Sequence, residues 1–253
     1  MYKAYNLTVP EETLLQDFAS VTTKLTDENR VKVRKNIKEF FQNETVDAAA
    51  LEQEWFGPMR PHVFLSHSHK DAAFAGVVAE MLSQRLGVSC FIDSFVWGYS
   101  DNLLDQIDRN FCKSENGKTF DYAKRNRSTS HVHMMLAAAL AKMMDRAECA
   151  IFLNTPNSIV TKDFIAGGEA TTASPWIYNE LLLTKLLPSK VPERLLNESL
   201  TKSAVTAKEE FPTFEFTVAM DHLTDLELTD IEDWLDCGRK GTAALDILYK
   251  KHG

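Results

Sequence analysis

The amino-acid sequence predicts an α/β fold, with a mostly parallel β-sheet packed between two layers of helices. Short apolar runs of strand length recur along the chain, and stretches with apolar residues at helical spacing lie between them. This alternation favours parallel strands, because each crossover helix returns the chain to the same end of the sheet. The 253 residues are 44% hydrophobic and 25% charged, a composition typical of a globular protein, and this length allows one large domain or one domain with sizeable extensions.

A helical extension is predicted over residues 1–60, ahead of an α/β domain over 61–253. Apolar residues recur three or four positions apart over 11–25 and 29–41, with charged residues between them. The extension is expected to end at residues 55–58, where Gly and Pro follow two aromatic residues.

The first strand–helix–strand unit follows directly. Residues 62–66 form a short apolar run suited to a buried strand. Asp71 stands where it can cap the next helix, and Gly87 stands where a glycine would close that helix. Residues 88–92 are predicted to be the second strand, parallel to the first.

The remaining elements are predicted from the same signals. They are a loop over 93–100, a helix over 101–110, an insertion near 112–130, a helix over 131–145 capped by Ser130, a strand over 148–154, a long loop over 155–173, a helix from Ser174, an irregular insertion near 188–212, a strand over 214–218, and helices near 230–236 and 242–250.

The helix that starts at Ser174 carries the strongest functional signal. Ser174 is a good N-cap, and Pro175 fits the first helical position because it has no N–H to leave unpaired. Trp176 and Glu180 are four residues apart and share a face that is otherwise apolar. Burying a carboxylate there is costly unless it is used, although a Glu at the edge of the stripe could instead reach water.

Other polar residues fall at the ends of predicted strands. Ser66, His67 and Ser68 follow the first strand, and Asp93 follows the second. Ligands of parallel sheets bind beyond the carboxyl ends of the strands, so the sequence predicts a site assembled there from separate segments.

Charge and cysteine usage exclude several classes of protein. The net charge of −8 gives no general basic surface for nucleic acid, so no nucleic-acid partner is expected. The four cysteines are scattered without any CxxC spacing, which favours a reducing compartment. The start lacks the apolar core of a signal peptide, and the longest apolar run is too short to span a bilayer, so we expect a cytoplasmic protein without a membrane partner.

Two pairs of histidines invite a metal interpretation. His131 and His133 are two apart on a predicted helix and face away from each other, whereas His67 and His69 could share the face of an extended stretch. Neither pair has a carboxylate or cysteine at ligand spacing nearby, so no metal site is expected.

Three separated motifs resemble those of a bacterial TIR (Toll/interleukin-1 receptor-like) domain. The first covers residues 63–71, the second covers 91–94 with the loop through Trp97, and the third is the Ser-x-Trp-x-x-x-Glu spacing of Ser174, Trp176 and Glu180. The resemblance covers about residues 62–187, and residues 213–250 could supply the last strand and helix. It implies a flavodoxin-like three-layer fold, to which the N-terminal extension and the 112–130 insertion are additions.

The resemblance also implies an activity. Many bacterial TIR domains cleave the nicotinamide–ribose bond of NAD+, and their catalytic glutamate follows the tryptophan by four, which maps to Glu180. NAD+ is then the substrate and no further cofactor is expected. The products would be nicotinamide and either ADP-ribose or a cyclic ADP-ribose signal read by a downstream effector, as in Thoeris-type antiphage defence. The alternatives are a non-catalytic TIR interaction module and a nucleotide-binding α/β protein of unrelated purpose.

Seven residues are candidate substrate contacts, each with a structural alternative. Trp97 could stack on a base or pack within its loop; Trp176 could wall the pocket or join the core; Ser66, His67 and Ser68 could bind phosphate or ribose or cap locally; Asp71 is favoured as an N-cap; and Asp93 could only begin a turn.

The 93–100 segment also predicts self-association. Related TIR enzymes are commonly active as assemblies, in which the loop after the second strand meets a neighbouring copy. Here that loop contains Phe95, Val96, Trp97 and Tyr99, an unusual set of side chains for free solvent. We therefore expect a homo-oligomer.

Overall fold

The computed structural model describes residues 1–14, 41–42, 45–47, 50, 52–53, 56–57, 59–114, 116–161, 170–195 and 216–252. Within these ranges the side chains of 41–42, 45–46, 94–100, 102, 161 and 216 are outside the description.

Strands and helices alternate along most of the described chain. The strands are β1 (Lys3–Thr8), β2 (Phe41–Gln42), β3 (Thr45–Val46), β4 (Val63–Ser66), β5 (Cys90–Ile92), β6 (Cys149–Asn154), β7 (Val160–Thr161), β8 (Ala170–Thr172), β9 (Phe216–Thr217) and β10 (Thr224–Leu226). The α-helices are α1 (Glu11–Leu14), α2 (Ala72–Leu86), α3 (Ser94–Phe111), α4 (Tyr122–Arg146), α5 (Pro175–Leu186), α6 (Leu228–Leu235) and α7 (Thr242–Lys251), with 3-10 turns at His69–Asp71 and Glu193–Leu195.

The main sheet has five parallel strands in the order β10-β1-β6-β4-β5. This confirms the predicted α/β class with a parallel sheet. The neighbours β5, β4 and β6 follow the 2-1-3 order with which a flavodoxin-like sheet begins. The N-terminal β1 fills the fourth place, between β6 and β10, so the topology is compatible with a flavodoxin-like fold.

The position of β1 corrects the expectation that residues 1–60 are a helical extension. Lys3–Thr8 pair along their whole length with Cys149–Asn154, in the middle of the sheet. Asn6 also donates from Nδ2 to Asp225 Oδ1 across the β1–β10 pair, at 2.8 Å. The short α1 is helical as expected, while most of the predicted helices over 11–25 and 29–41 lie outside the described residues.

The first βαβ unit forms where the sequence predicted it. Val63 and Leu65 of β4 pack on one face of the sheet and Phe64 on the other, as the pleat of a strand requires. Gly87 adopts a left-handed conformation (φ 62°) and its N–H bonds back to the Ser83 carbonyl, which ends α2.

Three local predictions are wrong. Residues 93–100 were expected to be a loop, but α3 begins directly at Ser94. The next long helix begins at Tyr122 rather than at His131, because Asp121 and not Ser130 caps it by accepting from the Lys124 N–H. The 155–173 loop contains β7 and β8, which form a small antiparallel sheet with β9.

Helices cover both faces of the main sheet. One buried cluster joins the sheet to α2, α6 and α7, while two others join it to α4 and to α5 with the small sheet. In the parts of the chain that the structure describes, no helix combines the length and apolar character needed to cross a membrane.

Candidate functional site

Glu180 lies inside the protein on α5. The helix starts as its sequence predicts, with the Ser174 hydroxyl accepting from the Ile177 N–H at 3.3 Å and Pro175 in the first turn. This start directs Glu180 toward the sheet, where the residue is only 1% exposed. The alternative of an edge-of-stripe Glu that reaches water is therefore wrong.

The Glu180 carboxyl meets the carboxyl end of β4. The Ser66 hydroxyl donates to Glu180 Oε2 at 2.5 Å, and both groups are buried. Glu180 Oε1 accepts from no N–H or hydroxyl of the described residues, and the Glu180 carboxyl is within hydrogen-bonding reach of the Asp93 carboxyl. Two carboxyl groups can be hydrogen-bonded only while one of them holds a proton, so ionising Glu180 would leave buried negative charge without a partner.

Burial is the main reason why the pKa of Glu180 is raised well above its ordinary value. The negative charge of the nearby Asp93 carboxylate raises this pKa further, while the hydrogen bond from Ser66 opposes the shift. The folded protein therefore holds a proton on this carboxyl to a higher pH than the unfolded chain does.

Asp93 in turn lies against His67. Leu65 of β4 pairs with Ile92 of β5, so the residues after the two strands emerge side by side. His67 Nδ1 is 2.8 Å from Asp93 Oδ1, and the two side chains are 0% and 3% exposed. Burial lowers the pKa of His67, but the charge of Asp93 and its hydrogen bond raise it more, so the net shift is upward.

Asp71 has a different role from the N-cap that the sequence favoured. It occupies the residue before α2, but its side chain makes no capping hydrogen bond. Instead, its carboxylate accepts from Thr155 Oγ1 at 2.6 Å and from Asn157 Nδ2 at 2.7 Å. Asp71 thereby ties the start of α2 to the loop after β6.

Thr155 and Asn157 were not predicted as site residues, although Thr155 was expected at a strand end. The backbone N–H groups of Asn157 and Ser158 both donate to Thr155 Oγ1. Thr, Asn and Ser after a strand are the residues of such side-chain turns, which is the signal that could have identified this loop.

The other candidates are Ser68, Trp176 and Trp97. Ser68 is buried beside the 3-10 turn, and its side chain does not cap that turn. Trp176 is half-buried and packs edge-on against His133 of α4, with ring centroids 5.7 Å apart, so its contacts favour a packing role. The backbone of Trp97 is in α3, but its side chain lies outside the described part of the structure.

Ser66, Glu180, Asp93 and His67 therefore form one buried cluster at the carboxyl ends of β4 and β5. Two acids, an imidazole and a hydroxyl can bind a positive charge, exchange protons and orient a ribose. Among the described residues, no group of three or more His, Cys, Asp and Glu side chains has the arrangement to hold a metal ion.

Comparisons with protein-family models, with curated proteins and with solved structures found no match to this chain. The chemistry of the cluster is therefore what indicates the function.

Proposed function

We propose that the protein is an NAD+-consuming enzyme that breaks the bond between nicotinamide and ribose, with Glu180 as its catalytic carboxylate. The observation that carries this proposal is the buried Glu180, whose carboxyl accepts from the Ser66 hydroxyl and faces the Asp93 carboxyl at the carboxyl edge of a parallel sheet. This edge is where α/β proteins bind nucleotides.

The charge balance of the cluster supports a cationic substrate. Glu180 and Asp93 are two buried acids, and His67 can balance only one of them. The nicotinamide ring of NAD+ is positively charged, so its arrival offsets the cost of ionising Glu180. Cleavage then moves positive charge onto the ribose, where a carboxylate in a low-dielectric site stabilises the transition state.

Nicotinamide departs as a neutral pyridine, so this reaction requires no acid. The ribosyl cation can be captured by water to give ADP-ribose, or by the adenine of the same molecule to give a cyclic nucleotide. In this proposal the product is a signal in bacterial antiphage defence, sensed by a downstream effector in the cytoplasm.

Chromatography of NAD+ incubated with purified protein tests the proposal. Wild type should release nicotinamide, and Glu180→Gln should lower the rate at least about 100-fold. Glu232→Gln is a matched control, because it makes the same chemical change on an exposed residue of α6. Equal turnover by wild type and Glu180→Gln would remove Glu180 from catalysis, and a folded wild type without turnover would favour the interaction-module alternative.

The proposal includes a homo-oligomeric active form. The site side chains are buried, so substrate reaches them only after some rearrangement, and association with a second copy could supply it. Specific activity should fall on hundredfold dilution. A constant specific activity for a protein that stays monomeric by light scattering would exclude assembly-dependent catalysis.

A further inference from the structure

His67 and Asp93 have no assigned task in NAD+ cleavage. That reaction expels a neutral base and consumes no proton at the leaving group. Yet the cluster keeps an imidazole beside a carboxylate, both essentially without solvent exposure. Desolvating an ionisable pair is costly, so a pair retained at a binding site calls for a functional explanation.

The pair places a carboxylate against one nitrogen of a buried imidazole. Asp93 Oδ1 lies 2.8 Å from His67 Nδ1, so Nε2 is the ring nitrogen that can face a substrate. The contact to Asp93 is an ion pair, since neither ring nitrogen meets full side-chain hydrogen-bond geometry within the described part of the chain, and the Leu65 backbone is the other hydrogen-bonding group near the ring. A carboxylate on one imidazole nitrogen is how enzymes orient a histidine that transfers protons through the other.

The pair is also next to the catalytic candidate. His67 directly follows Ser66, whose hydroxyl binds Glu180, and Asp93 is close enough to influence both His67 and Glu180 electrostatically. A proton donor and a carboxylate therefore lie side by side at the ends of the same two strands.

We propose that His67, positioned by Asp93, is a general acid that allows the Glu180 site to cleave a second class of substrate, the N-ribosides whose base carries no positive charge, such as purine nucleotides. This inference rests on the proposed function in so far as Glu180 serves the same ribose–base bond.

The step balances as a hydrolysis. The C1′–N bond breaks and its electron pair goes to the base nitrogen, which takes a proton from His67. A water oxygen bonds to C1′, and the proton that the water loses goes to Glu180 and on to solvent. Without the acid the base would leave as an anion, and general acid catalysis of this kind contributes about 10²–10⁴-fold.

Three substrates separate the two roles. The nicotinamide of NAD+ is a cationic leaving group and needs no protonation. The base of adenosine 5′-monophosphate is neutral and must be protonated as it leaves. The nitrophenolate of p-nitrophenyl riboside is a stable anion and needs little protonation. Wild type should cleave all three. His67→Gln should lower kcat/KM for the monophosphate by about 100-fold or more and change the other two less than about tenfold. His131→Gln, on an exposed position of α4, is the matched control and should change none.

Each other outcome is decisive. Cleavage of NAD+ without cleavage of the monophosphate overturns this inference and leaves the proposed function standing. Cleavage of the monophosphate without cleavage of NAD+ overturns the proposed function and leaves this inference standing. A wild type that cleaves neither substrate overturns both proposals. Equal losses on all three substrates in a folded His67→Gln protein also overturn the acid role.

A measurement on the wild type covers the case in which His67→Gln does not fold. With a working acid, kcat/KM for p-nitrophenyl riboside and for the monophosphate should agree within about a hundredfold. A much larger advantage for the nitrophenyl substrate would show that no acid assists the departure of the base, and would overturn the inference.

Discussion

Buried and half-buried acids have different hydrogen-bond partners at the two ends of the main sheet. At the amino end, Glu148 accepts from both terminal nitrogens of Arg194 and from the Tyr249 hydroxyl, while Arg194 Nε donates to Asp246. At the carboxyl end, Glu180 accepts from the neutral Ser66 hydroxyl and faces another acid, Asp93. In the first arrangement both acids are hydrogen-bonded to a permanent cation, whereas in the second Glu180 is bound by no cation.

This difference separates structure from function. The amino-end network joins the 3-10 turn after α5 to α7 and to the residue before β6, so it connects distant parts of the chain. The carboxyl-end cluster costs stability, because its acids are desolvated beside each other. Proteins keep such costs at sites that bind or react, and this is why we assign chemistry to the second cluster and not to the first.

The largest expected effect on stability comes from breaking the amino-end network. Arg194→Ala removes the cation that Glu148 and Asp246 share and should lower the free energy of unfolding by about 2 kcal/mol. Chemical denaturation followed by circular dichroism measures this change. Arg109→Ala is the control, because the Arg109–Asp105 pair on α3 is mostly exposed and should cost less than about 0.5 kcal/mol. Equal losses in the two variants would show that the network adds nothing beyond a surface pair.

A subtler effect is expected from the acid next to Glu180. The negative charge of Asp93 raises the pKa of Glu180, so Asp93→Asn should lower that pKa. If catalysis needs ionised Glu180, the acidic limb of kcat/KM for NAD+ then moves to lower pH. Asp105→Asn, an exposed change on α3, should leave the limb in place. If the acidic limb of the kcat/KM profile is unchanged in Asp93→Asn, or moves to higher pH, Asp93 does not control the charge of Glu180.

The sequence predicted elements whose signals are local. Gly87 ends α2 and Ser174 caps α5 because each acts on hydrogen bonds within its own turn. The position of Glu180 followed from the same helix start, since helical spacing decides which residues share its inner face.

Contacts between residues far apart in the sequence could not be predicted in this way. The strand Lys3–Thr8 mixes polar and apolar residues, and its place in the sheet depends on β6 and on an Asn6–Asp225 hydrogen bond 219 residues apart. Asp71 was expected to cap because of its position, but its partners Thr155 and Asn157 lie 84 and 86 residues farther along the chain. No local pattern reports such contacts.

The most direct test of this account measures stability and activity together on Glu180→Gln. Because folding raises the pKa of Glu180, the stabilisation from its neutral form is complete below the ordinary pKa of 4.5 and is lost as pH rises through the folded value. Gln keeps an acceptor for Ser66 and cannot ionise. At neutral pH the free energy of unfolding of the variant should therefore be about 1 kcal/mol higher than that of wild type, and this difference should shrink toward acid pH. Nicotinamide release from NAD+ should be lost in the same variant. A variant that is less stable at neutral pH and still releases nicotinamide at the wild-type rate would contradict the claim that this end of the sheet sacrifices stability for catalysis.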